Sequence, residues 1–200
     1  MKPKPAPVAG KPARPKAAAA IRFSATLLRP KAAGTPASWA FLTLPKPASD
    51  KLPSRSMVSV EGLLNDSPFQ ATLEPDGNGG HWLKVESSLR SAAGVKVGDT
   101  VTLEFTPLTP DREPEPTVPP DLRRALAAAP PKALEVWSDI TPIARRDWIF
   151  WITSGKLAET RTKRIATACD MLAKGKRRAC CFDRSGMYGK SLSCPVADDQ

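Results

Sequence analysis

The stretch HWLKVESSLRSAAGVKVGDTVTLEF, from His81 to Phe105, constrains the fold more than any other part of this chain. It closes in alternation: Val101, Leu103 and Phe105 interleave with Thr100, Thr102, Glu104 and Thr106, the period of a strand that buries one face. Ser87 to Ala93 is too short for a free-standing helix, and Gly94 and Gly98-Asp99 punctuate the approach to the last strand. The order predicted is strand, one helical turn, tight turn, strand.

The same period recurs upstream. Ile21, Phe23, Ala25 and Leu27 share a face; Trp39 to Leu44 is an apolar run ended by Pro45; Val58 and Val60 share a face as far as Gly62; Phe69, Ala71 and Leu73 alternate again. Asn65 to Pro68 and Pro75 to Gly80 are turn chemistry, the second leading into Trp82 to Val85. So many short strands with tight turns favour a small closed barrel, which leaves no unpaired edge. Pro107 to Pro120 is rich in proline and acid and reads as a linker.

Beyond it the period becomes helical. Asp121 is a candidate N-cap, with Leu122, Leu126 and Ala129 on one face. Pro130-Pro131 breaks that helix, Ala133 to Trp137 starts a second, and Thr141-Pro142 marks the start of a third. A fourth is expected from about Ala158 to Ala173. The predicted class is α+β: a small closed six-stranded β-barrel (21–108), a Pro-rich linker (109–118) and a small α-helical domain (119–178). A disordered Lys/Pro/Ala tail (1–20) and a frayed C-terminal tail (179–200) flank them.

Composition points to a binding surface. The formal net charge is +10, and the chain from Asp121 onward holds 15 basic against 9 acidic residues, while the barrel region is near neutral. Such a balance suits nucleic acid or an acidic protein as partner, reached through the basic fourth helix and the tail. Lys156, Arg161 and Arg164 are the candidate anion-binding residues there, Arg161 and Arg164 sharing a helix face. A solvated charged face explains the same residues, and no aromatic is interleaved among them.

Arg90 beside the Gly94 and Gly98-Asp99 turns is a second candidate, an anion-binding rim for a small ligand or an unrecognised enzyme's substrate. The competing reading makes Arg90 a packing residue and Gly80, Gly94, Gly98 and Asp99 structural turns. His81 reads as an exposed strand residue. No nucleophile elbow, phosphate loop or dinucleotide motif is present, so no catalytic residue is assigned and a non-enzymatic protein is expected. The cysteines (Cys169, Cys180, Cys181, Cys194) form no C-x-x-C pair; reduced thiols, no metal and no cofactor are expected. No apolar run reaches the ~18 residues of a membrane span, and the basic N-terminus lacks the apolar core of an export signal, so a cytoplasmic location is expected.

Two family resemblances add to this. Trp39-Ala40 with Leu44-Pro45, Val60-x-Gly62, Phe69 to Pro75, Gly80-His81, Arg90-x-x-x-Gly94 and Gly98-Asp99-x-Val101 together resemble the domain-of-unknown-function family nineteen-oh-five. That resemblance covers Phe23 to Phe105 and implies a six-stranded barrel without an assigned activity. Val118 to Arg178 resembles the bacterial YdeI-like, OmpD-associated or bacteriocin-protection family through Pro119-x-Asp121-Leu122, Arg146, Trp151-Ile152 and Lys156-x-x-x-Thr160-Arg161-x-x-Arg164-Ile165. It implies a role in stress or bacteriocin protection. Ser154-Gly155 departs from its pattern and predicts a break between helices.

Overall fold

A computed structural model describes residues 19–31, 38–155, 157–179 and 193–198. Six strands form one antiparallel sheet: β1 (Ile21–Thr26), β2 (Ala40–Thr43), β3 (Val58–Leu64), β4 (Ser67–Pro75), β5 (His81–Val85) and β6 (Thr100–Pro107). Their spatial order is β1-β6-β3-β4-β5-β2. The outer strands meet where Leu28, just past β1, pairs with Phe41 of β2 through backbone bonds of 2.7 and 2.9 Å. The barrel is therefore nearly closed, as the strand pattern predicts.

Alternation decides what fills it. Val60, Leu64, Leu73, Leu83, Val101, Leu103 and Phe105 are buried in one cluster. Two short helices, α1 (Lys46–Ser49) and α2 (Ser87–Ala92), add to the same core through Ala48 and Leu89. Its interior is packed with side chains, the ordinary state of a small barrel. Gly62 allows β3 and β6 to approach closely: a Cβ there would stand 2.1 Å from the Glu104 carbonyl oxygen.

The helical half comprises α3 (Pro120–Ala128), α4 (Pro131–Asp139), α5 (Pro142–Thr153) and α6 (Ala158–Ala173), around a second core that includes Leu122, Trp137, Trp148, Ile152 and Leu172. Prolines begin the first three helices because a fixed φ and a missing N–H cost nothing there. Thr141 caps α5 by accepting from the Ala144 N–H at 3.3 Å. The break expected at Ser154-Gly155 is present between α5 and α6.

Two expectations about these elements need correction. Asp121 lies inside the first turn of α3, and Pro119 occupies the cap position. The frayed tail is not frayed throughout: Ala197 pairs antiparallel with Pro30, Lys31 N–H donates to the Val196 carbonyl (2.8 Å) and Asp198 N–H to that of Arg29 (2.8 Å). Backbone pairing of this kind requires no apolar periodicity, so a hydrophobic pattern does not reveal it. The 109–118 linker is fastened to both halves through Glu113, whose side chain is only 5% exposed and is bonded to Ser59 and Arg146. The predicted disorder of the N-terminal tail falls, for 1–18, outside the described residues, and so does Lys156.

Candidate binding cleft between barrel and helices

The barrel and the helices meet along a polar seam built on one face of α5. Ile143, Arg146 and Asp147 fall three and four positions apart, so they project from the same side of the helix. Opposite stand Met57, Val58 and Ser59, at the start of β3, and the segment that follows β6. The Arg146 guanidinium crosses the seam: Nη1 donates to Ser59 Oγ (2.8 Å) and to Glu113 Oε1, and Nη2 donates to the Met57 carbonyl (3.1 Å). Ser59 Oγ donates in turn to Glu113 Oε1 at 2.8 Å. Two further pairs brace the linker, Arg145 with Glu115 and Arg112 with Glu61.

Beside this clamp lies a cavity of about 450 Å³, within the range of small-molecule sites. Its apolar wall includes Met57, Val58, Leu108 and Ile143; its polar groups include Lys51, Ser59, Glu113, Arg146 and Asp147. Asp147 is buried, with Arg178 at 3.7 Å and Arg146 Nε at 4.0 Å. Lys51 is exposed and has no ion-pair partner among the described residues.

The loop from 50 to 57 forms one wall of this cavity and is held from below by a buried pair. His81, 1% exposed, places Nδ1 at 2.6 Å from Ser49 Oγ and Nε2 at 3.0 Å from the Ser56 carbonyl. A carbonyl only accepts, so Nε2 carries the proton and Ser49 donates its hydroxyl hydrogen to Nδ1. Burial pushes the imidazole below its ordinary pKa and keeps it neutral. The exposed strand residue expected at His81 is thus corrected: it has the inward parity of Leu83 and Val85. Ser49 and Ser54 also line a second, polar cavity of about 340 Å³.

The residues singled out in the sequence are placed elsewhere. Arg90 Nη2 donates to the Ser38 carbonyl at 2.7 Å, fastening the segment before β2. Arg161 grips Asp121 with Nε at 2.6 Å and Nη2 at 3.0 Å, tying α6 to α3; this pairing holds the Asp121 carboxyl down to about 2. Arg164 lies over the Trp151 ring and donates to the Trp151 carbonyl and to Ser154 Oγ. Arg90 and the two helical arginines share no partner. Gly94 and Gly98 hold positive φ of 66° and 95°, and Asp99 Oδ2 accepts from the Lys96 N–H. Gly80 N–H donates to Asp76 Oδ1 at 2.8 Å in the turn before β5.

Sequence reasoning named Arg146 only through a family resemblance and passed over Lys51, Ser59, Glu113 and Asp147. The one signal available was an Arg145-Arg146 pair downstream of a proline-rich segment carrying Glu113 and Glu115. No group of three or more metal-ligating side chains is gathered among the described residues, and no helix there is long and apolar enough to cross a membrane.

A packed antiparallel barrel joined by a braced linker to a small helical bundle defines a two-module protein with a cavity at its seam. Residues 23–105 match the family described as Domain of unknown function (DUF1905), and residues 115–175 match the family described as Bacteriocin-protection, YdeI or OmpD-Associated. The chain thus carries a segment similar to DUF1905 followed by a segment similar to the YdeI/OmpD-associated family, in that order. No match to a curated protein was found.

Proposed function

We propose that this chain acts in bacteriocin or stress protection as a non-enzymatic binding protein, seating a small molecule in the cavity between its barrel and helices. The family description of residues 115–175 supplies the biological setting. The cavity carries the molecular part, since it is roomy, largely apolar in its walls and contributed by both modules. A barrel-mouth site at Arg90 has less to support it, because the barrel interior is packed and Arg90 is engaged with Ser38. The test is a titration with the fluorescent apolar probe N-phenyl-1-naphthylamine. Ile143→Trp, which fills the cavity from its half-buried wall, is expected to abolish the signal while the fold, followed by circular dichroism, persists. Probe binding that survives Ile143→Trp excludes this cavity as the seat.

A second reading keeps the basic helical surface as a contact for nucleic acid or an acidic protein. What supports it is the charge of the helical half, with Arg124 and Lys176 exposed and outside the ion pairs of the described residues. What weighs against it is that Arg161, Lys163, Lys174 and Arg177 are each matched by a carboxylate. Polyanion binding driven by these charges must weaken steeply between two salt concentrations; absent or salt-insensitive binding of duplex and single-stranded DNA and RNA removes it.

A further inference from the structure

The charges in the wall of the seam cavity cancel. Lys51 and Arg146 are positive and Glu113 and Asp147 negative, so the lining is neutral. Glu113 accepts from Arg146 and from Ser59, while Asp147 has Arg178 at 3.7 Å and Arg146 Nε at 4.0 Å. Lys51 is exposed, where water solvates it. Much of the wall's uncharged polar surface is engaged as well. The Met57 carbonyl accepts from Arg146 Nη2 at 3.1 Å, the Ser56 carbonyl from His81 Nε2 at 3.0 Å, and the Leu108 N–H donates to the Ser59 carbonyl at 2.8 Å. The Ser54 and Ser56 hydroxyls bond each other at 2.6 Å. Pro53, Pro107 and Pro110 also line the cavity and have no N–H to offer. Groups matched within the fold gain little from a ligand's charge, and an ion brought beside them loses its water without a partner in return.

We infer that the cavity takes an uncharged, predominantly apolar molecule, held by burial against Met57, Val58, Leu108 and Ile143 rather than by a charged headgroup. This rests on the ligand-binding reading above and names the ligand's class. An anion would stand beside the carboxylates of Glu113 and Asp147, and a cation beside the Arg146 guanidinium, so the site favours neither sign. What remains to drive binding is apolar surface removed from water, which grows with each methylene of the ligand.

The experiment uses the full chain with N-phenyl-1-naphthylamine as reporter and two sets of competitors, each below its micelle concentration. One set is the 1-alkanols from butanol to octanol; the other is octanoate and octylammonium. Each methylene added to the alcohol is expected to lower the displacing concentration about fourfold, as burial of one CH₂ group supplies. Octanol is expected to act about tenfold or more below either ion. Ile143→Trp is expected to remove displaceable signal in both sets, and Lys51→Gln to leave the order of the three eight-carbon competitors unchanged. Either ion matching octanol, or an order that depends on Lys51, overturns the inference while the cavity stands. Octanol is the most hydrophobic of the three, so an ion that equals it is recognised through its charge. Alcohols that displace the probe at one common concentration whatever their length overturn the inference too. No probe binding and no thermal shift with any competitor overturns the ligand-binding reading itself.

Discussion

Arg146 and Ser59 lie 87 positions apart in the chain and meet at 2.8 Å, with Glu113 accepting from both. The contact joins a helix, a strand and the linker in one hydrogen-bonded unit. The Arg146 and Glu113 side chains are 14% and 5% exposed, so neither charge has bulk water as an alternative partner. Arg146→Ala is expected to destabilise the protein by about 3–5 kcal/mol, because it leaves Glu113 buried and unpaired. The double variant Arg146→Met with Glu113→Met is expected to recover most of that loss. Urea denaturation of the two variants and the parent checks both statements; equal losses for single and double variants contradict them.

The Ser49–His81 pair makes a separate prediction about the cavity wall. Ser49→Ala removes the hydroxyl that donates to Nδ1 at 2.6 Å and leaves a buried acceptor unmet. A loss of about 1–3 kcal/mol is expected. Amide exchange of the loop from 50 to 57 should quicken with it, since Nε2 alone then fixes the imidazole to that loop. A stability unchanged within about 0.5 kcal/mol would show that the pair is incidental.

Glu74 governs a pH dependence. Burial pushes its carboxyl up to about 7, partly opposed by Lys84. The folded state therefore holds a proton that the unfolded chain releases near its ordinary value of 4.5. The stabilising contribution of this group is full below that value and is lost as pH rises through about 7. The loss amounts to about 3 kcal/mol at most. Comparing denaturation at pH 5 and pH 8 for the parent and Glu74→Gln isolates it: the difference between the two proteins must shift in favour of the glutamine variant at the higher pH.

Gly62 tests the close approach of β3 and β6. Any side chain there meets the Glu104 carbonyl and the Phe105 backbone within 2.5 Å, and backbone atoms cannot rotate aside. Gly62→Ala is expected to cost about 3 kcal/mol or more, the range of severe overpacking. A thermal melt settles this, with Gly98→Ala as a contrast in which φ strain acts without any nearby atom.

Much of the architecture is legible along the chain. The alternation of Val101, Leu103 and Phe105 and the helical spacing of Leu122 and Leu126 report faces that are buried locally. Proline pairs and Thr141-Pro142 mark helix starts through the conformational limits of single residues. The burial of His81 is not legible in the sequence, because a glycine turn hides the parity of the first strand residue behind it. The pairing of 196–198 with 29–31 is not legible either, because main-chain pairing leaves no trace in side-chain pattern.

The candidate site was barely legible. Arg161 and Arg164 carry the signature of a basic surface in one dimension, yet Asp121, Ser154 and the Trp151 carbonyl claim them in three. Glu113 reads as one more acid in a proline-rich connector until Arg146 is found across from it. By itself the sequence determined the barrel, the helices and the order of the two modules, because period, turn chemistry and capping act over a few neighbouring residues. Only the tertiary structure decided which charges remain available and where a cavity opens, because ion pairing and the fit of two modules depend on residues that the fold brings together from distant parts of the chain.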